Sequence, residues 1–87
     1  MLDERLRALS HAARRRILEA CRGRPQSAGA LVLLVGLAPA SVSEHLKVLR
    51  KTGLLVLERR GRFRYYRTDP EAVDAVAEEL VRLARSP

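Results

Sequence analysis

Apolar residues recur along this chain first at intervals of three and four, then alternate, then return to three and four. Leu2, Leu6 and Leu9 share one helical face and predict a short first helix, with a break at Ser10 or His11. Residues 12–21 predict a second helix, with Ala13, Ile17, Leu18 and Cys21 inward and Arg14, Arg15, Glu19 and Arg22 outward. The Gly- and Pro-containing stretch 22–27 reads as a loop. A third helix is expected from about Ala28 to Val35, closed by Gly36 in a left-handed conformation. Pro39 fits the first turn of a fourth helix, because its missing N–H has no helical partner there. That helix runs to about Thr52 and stops at Gly53.

The period then changes. Residues 54–60 and 62–68 are rich in Val, Leu, Phe and Tyr and flank Gly61, as in a tight hairpin. Thr68-Asp69-Pro70-Glu71 opens a last helix: Asp69 caps, Pro70 takes the first position and Glu71 complements the dipole. Val73, Val76, Ala77, Leu80 and either Leu83 or Ala84 form its apolar stripe. The expected architecture is mainly α with a β-hairpin. One domain, 1–87, is divided into N-terminal helices (1–21), two central helices (28–52), the hairpin (54–68) and a C-terminal helix (69–85).

Charge changes this picture from a small helical domain to a candidate polyanion binder. From Ser41 to Arg67 there are eight Lys or Arg and two acids, Glu44 and Glu58. That segment carries +6 of a net +7. A helix followed by a basic hairpin is the pattern of a winged helix-turn-helix, with the helix shaped for the major groove and the hairpin as its wing. On a helical wheel Val42, Leu46 and Leu49 turn inward, while Ala40, Ser43, Glu44, Lys47 and Lys51 turn outward and Ser41 and Arg50 flank them. Short residues early in the helix let it sit deep in the groove, and longer cations later can reach phosphates or a guanine edge.

The expected DNA-binding set is Ala40, Ser41, Ser43, Glu44, His45, Lys47, Arg50 and Lys51 on the helix. Arg59, Arg60, Arg62 and Arg64 complete it on the wing, with Arg60 and Arg62 at the tip as the first choice. Glu44 either accepts from a cytosine amino group or pairs with Lys47 or Lys51 on the surface. His45, at the core boundary, suits hydrogen-bonded packing, with a phosphate contact compatible, better than metal ligation.

The remaining composition excludes more than it adds. Only 3% of residues are aromatic, and the apolar residues are mostly Leu, Val and Ala. A domain this small buries only roughly 60% of its unfolded surface, so a partner subunit would add to a marginal core. Leu2, Leu6, Leu9, Val73, Val76, Ala77, Leu80 and Leu83 are the expected dimer interface. The lone cysteine, Cys21, excludes an internal disulfide and points to a reducing, cytoplasmic setting. Cys21 is either a small buried residue or a redox thiol activated by Arg22 and Arg24. No apolar run is long enough to span a bilayer and no signal peptide opens the chain, so no membrane association is expected. There is no Gly-rich phosphate loop, no nucleophile with a base and no metal cluster, so neither an enzyme nor a cofactor is expected.

Four segments resemble the ArsR/SmtB family of bacterial winged-helix repressors. Ala8-Leu9 with Arg14 to Leu18 is similar to its opening helices, and Leu31 to Leu37 to the helix before the turn. Val42 to Leu49 with Gly53-Leu54-Leu55 resembles the recognition helix and its exit, and Gly61-Arg62 with Tyr65-Tyr66-Arg67 resembles the wing. The resemblance covers roughly residues 5–80. It implies a homodimeric transcriptional regulator on a palindromic double-stranded operator, released by a small-molecule or protein effector. The family's thiolate site would fall on Ser27, Ala28, Gly29 and Val32, which offer no thiol. Its C-terminal site would fall on a helix with Asp74, Glu78 and Glu79 but no His. Neither suits zinc, nickel or the softer metals, so no metal is expected. The competing reading is a winged-helix docking or nucleic-acid-binding module within a larger complex. Leu33 and Leu34, outward on the third helix, are either its partner surface, a ligand wall or a local packing contact.

Overall fold

The structure, a computed structural model, describes residues 1–85. Helices α1 (Leu2–Leu9) and α2 (Ala12–Ala20) are followed by α3 (Ala28–Val35) and α4 (Pro39–Lys51). The hairpin β1 (Leu55–Arg60) and β2 (Phe63–Thr68) leads into α5 (Pro70–Arg85). The sequence reading of five helices around a two-stranded antiparallel hairpin holds, with ends displaced by a residue or so.

Local chemistry sets those ends. The Ser27 hydroxyl accepts from the Ala30 N–H at 3.1 Å and starts α3. Asp69 accepts from the Glu71 N–H at 3.1 Å and starts α5. Helix α4 ends in a Schellman motif: the Gly53 N–H reaches the Arg50 carbonyl, and the Leu54 N–H reaches the Leu49 carbonyl. Gly53 has φ +78°, and a Cβ there would lie 3.2 Å from Arg5 Nη2. Leu54 therefore belongs to the helix exit rather than to β1, where the sequence pattern placed it. Gly61 and Arg62 form the hairpin turn, with Gly61 at φ +63°.

The core is drawn from all the elements. Ile17, Leu31, Val42, Leu49, Leu54 and Leu55 are its largest fully enclosed apolar side chains apart from Cys21, which lies among them. The two buried threonines are bonded: Thr68 Oγ1 donates to the Leu18 carbonyl at 2.7 Å, and Thr52 Oγ1 donates to its own helix at 3.1 Å. No buried side-chain polar atom among the described residues lacks a partner.

Two long-range links escape sequence periodicity. Gln26 and Tyr66 exchange backbone hydrogen bonds at 2.9 and 2.8 Å, extending the hairpin with a one-residue bridge before α3. Arg5 Nε donates to the Thr52 carbonyl at 2.8 Å across 47 residues, tying α1 to the end of α4.

The expected dimer set divides. Val76 is only 3% exposed and belongs to the protomer's own interior, with Ala72. It is corrected here from interface to core, because the first half of α5 packs inward. Val73 and Leu9 are partly buried against the core, and Leu2 is half-buried. The buried residue of α1 is Ala8. Leu6, Ala77, Leu80 and Leu83 remain exposed, and Val81 joins them. Among the described residues no single helix is long and apolar enough to cross a membrane.

Candidate nucleic-acid interface

Helices α3 and α4 meet at 112° across the short turn at residues 36–38. This is within the range of a helix-turn-helix, where the second helix is presented to the major groove. Val42, Leu46 and Leu49 fasten α4 to the core at three-four spacing. The opposite side therefore projects. Ala40, Ser41, Ser43, Glu44, Lys47, Arg50 and Lys51 are all exposed, as the wheel predicts.

His45 lies half-buried at the edge of this surface. Its Nδ1 accepts from Arg14 Nε at 3.1 Å, and the His11 ring lies 6.2 Å away, centroid to centroid. Burial, then the Arg14 and His11 charges, hold its pKa below the ordinary histidine value. The imidazole is thus a neutral acceptor locking α4 to α2. Arg14 was legible only as an outward cation, because its partner is 31 residues away. Glu44 lies 3.7 Å from Lys47, both well exposed, so the surface-pair geometry is present.

The hairpin register sorts the arginines. Arg59 faces Arg64, Leu57 faces Tyr66 and Leu55 faces Thr68. Cross-strand partners share a face, and Leu55, Thr68 and Tyr66 identify it as the inward one. Arg59 and Arg64 therefore project from the core side of the wing. Arg64 borders the same groove as Ser43, Lys47 and Arg50 of α4. The other face carries Glu58, Arg60, Tyr65 and Arg67. There Glu58 accepts from Arg67 Nε at 2.6 Å and from Arg60 Nη2 at 3.3 Å. Arg60 also covers the Tyr65 ring, 5.3 Å from its centroid. The Arg67 bond is the first reason that the Glu58 carboxyl is held below its usual pKa.

Arg60, one of the first-choice tip residues, is thus engaged on the far face, whereas Arg62 stands in the turn. Arg50, Lys51, Arg59, Arg62 and Arg64 meet no acidic side chain among the described residues. The structure brings together the α4 cations and Arg64, and leaves Arg60 and Arg67 in an ion-pair network.

Cys21 lies outside this surface. It is fully enclosed, and burial pushes its thiol pKa up to about 11. The neighbouring Arg22 and Arg24 do not offset that burial, so the thiol is protonated rather than activated. Among the described residues no group of three or more His, Cys, Asp or Glu is arranged to hold a metal ion.

This geometry has recognisable relatives. A helix-turn-helix domain family model matches residues 9–58. The chain is 37% identical over 76 residues to the HTH-type transcriptional regulator YgaV of Escherichia coli, covering 86% of this chain and 77% of that one. It is 32% identical over 60 residues to the transcriptional repressor SdpR of Bacillus subtilis, covering 69% and 67%. It spans only 30% of the length of YdfF, an uncharacterized HTH-type regulator of the same organism. Among solved structures, an ArsR-like transcriptional regulator from Rhodococcus superposes with a TM-score of 0.86 at 28% identity, covering 95% of this chain and 78% of that one. The outward polar face of α4, the basic wing and these likenesses agree: the chain belongs to the helix-turn-helix regulators of the ArsR/SmtB type, and is a DNA-binding transcriptional regulator rather than an enzyme.

Proposed function

We propose that this chain acts in the cytoplasm as a homodimeric repressor that occupies a palindromic operator, without either of the family's metal-sensing sites. The carrying observation is the distribution of unpaired charge. Arg50 and Lys51 on α4, with Arg59, Arg62 and Arg64 on the wing, form a cationic surface without acidic counterparts among the described residues. Around it, Ser41, Ser43 and Lys47 are exposed on the same face and suit contacts with base edges, Glu44 pairs with Lys47 at the surface, and Ala40 leaves room for close approach. His45 supports the reading helix from behind rather than reading bases itself.

Dimerisation rests on a second feature. Leu80, Val81 and Leu83 stand exposed on the outer half of α5, with Leu83 at 72%, and Leu6 lies on α1. Such a patch is expected to be covered by a second copy through a two-fold interface. Two copies would present two α4 helices and two wings, and a two-fold protein selects an inverted repeat. Occupying a promoter in this way blocks transcription, and SdpR, the relative named as a repressor, is consistent with that sense of regulation.

The test is selection of bound duplexes from a random pool, with light scattering at micromolar concentration. An inverted repeat and a dimer mass are expected. Unrelated sequences recovered at equal affinity, or a monomer, would overturn the reading. Two surfaces together should neutralise on the order of 6–10 phosphates, giving a log–log salt slope of roughly −5 to −9.

A further inference from the structure

Beside the reading helix lies an open groove of about 1020 Å³, bounded by α3, α4 and β2. It is at the upper end of the size range of small-molecule sites, roughly 300–1,000 Å³. Its two walls differ in chemistry. The α3 wall is apolar, with Val32 and Leu33, and Gly29 leaves space between them and the N-terminal end of the helix. Leu33 is 85% exposed, the most exposed large apolar side chain in the described structure. A Cβ on Gly29 would meet nothing within 4 Å, so the space is open rather than filled by a neighbour. The α4 and β2 side is mixed: beside Val42, Leu46 and Tyr66 it carries Arg50, Lys51 and Arg64, none with an acidic partner among the described residues, and Lys47, which pairs with Glu44. Leu34 does not share this groove. It turns toward α2, beside Arg16 and Ala20.

An apolar wall facing three uncompensated cations is complementary to a molecule with an apolar body and an anionic head. Neither chemistry alone suits both walls. DNA would satisfy the cations but leave Leu33 against phosphate and sugar, while an uncharged apolar ligand would leave the cations without a counter-ion. A carboxylate head is well matched to a guanidinium, which can hold both its oxygens. We infer that this groove is an effector site for an amphipathic carboxylate, with an apolar tail against Val32 and Leu33 and its head held by Arg64 and Arg50. Release then follows from shared residues. The head occupies the cations proposed above to meet phosphates, so ligand and operator exclude one another without a conformational change. The regulatory consequence rests on the proposed DNA surface, but the binding site does not.

The test uses the full chain and dodecanoate below its micelle concentration, titrated calorimetrically first without DNA. One dodecanoate per chain is expected, with at least tenfold weaker binding of dodecyltrimethylammonium, which has the same tail and the opposite head charge. L33S and G29L should each weaken dodecanoate at least tenfold, the first by removing apolar wall and the second by filling the groove. Leu33 is exposed and Gly29 open, so both variants should keep the wild-type circular dichroism. L34S, on the other side of α3, should bind dodecanoate as wild type does. Dodecanoate should then displace an operator duplex from wild type but not from L33S. No calorimetric binding, equal binding of the cationic surfactant, or equal loss in L34S would overturn the site. Dodecanoate binding with no operator binding at any salt concentration would instead leave the site standing and remove the DNA reading.

Discussion

Substituting one wing arginine at a time tests whether the hairpin register decides which arginines meet DNA. Arg64 projects on the core side of the wing beside Lys47 and Arg50, whereas Arg60 is held on the other face by Glu58 and Tyr65. Each phosphate contact contributes about −0.9 to the slope of log affinity against log salt. A dimer carries two copies, so R64Q should make the slope shallower by about 1.8. Salt raised from about 50 to about 200 mM is a change of about 0.6 log units, so the wild-type advantage should shrink about tenfold over that range. R60Q should leave the slope unchanged within error, because Glu58 retains Arg67 at 2.6 Å and no phosphate contact is removed. Fluorescence anisotropy of a labelled duplex at several salt concentrations reads both slopes. Equal flattening by R60Q and R64Q, or flattening by R60Q alone, would refute the assignment of faces. A change nearer 0.9 for R64Q would point to one bound subunit rather than two.

Other expectations follow from single residues. G53A forces a left-handed conformation on a β-carbon and crowds Arg5, so it should cost about 1–2 kcal/mol and lower Tm by on the order of 5–10 °C. G29A, with ordinary φ and open space, should raise Tm instead; a similar loss in both variants would contradict the conformational account. Cys21, whose folded pKa is raised to about 11 from 9.0, stabilises the protein fully below pH 9 and loses that contribution as pH rises toward 11. Urea titrations should therefore show a decline of about 2–3 kcal/mol over that interval that is absent in C21A, and a native thiol reacting as fast as an unfolded one would count against its burial. E44Q should leave the selected base unchanged and tighten DNA binding, since Glu44 lies 3.7 Å from Lys47 on the surface; a new preferred base in each half-site would show that Glu44 reads cytosine. L80D with L83D should shift light scattering to a monomer while circular dichroism keeps the helical signal, because both residues are exposed in the protomer.

Elements whose signals are local were readable from the chain. Gly36, Pro39, Gly53, Gly61 and Asp69 each mark a helix or hairpin boundary through their own backbone or capping chemistry, and the structure places boundaries at all of them. The face of α4 was readable as well, since Val42, Leu46 and Leu49 fix its rotation. Periodicity could not distinguish the two ends of α5. Val76 and Leu80 lie on one stripe, but only the first half of the helix has protein beneath it, so Val76 is core and Leu80 is not. Nor could it rank the wing arginines, because a displacement of one position exchanges the faces of a strand. Once β1 began at Leu55 and Gly61-Arg62 formed the turn, Arg60 fell opposite Phe63 and away from α4. Arg14 and the α3–β2 groove depend on residues far apart in sequence, where a single chain carries no pattern to find them.

The hydrogen bond from Arg5 to the Thr52 carbonyl bears on how small a reading head can be cut from this protein. The segment from α3 through the wing contains every residue proposed to meet DNA, and it looks like a portable unit. Yet the last turn of α4 finishes on a side chain from α1, and Arg5 lies before the stretch 9–58 that the helix-turn-helix model matches. Cut at residue 9, the excised unit would lose that anchor, leaving the Thr52 carbonyl to water and the end of α4 free to fray. A graft of this head onto another protein would have to carry α1 with it, although α1 holds none of the residues proposed to meet DNA.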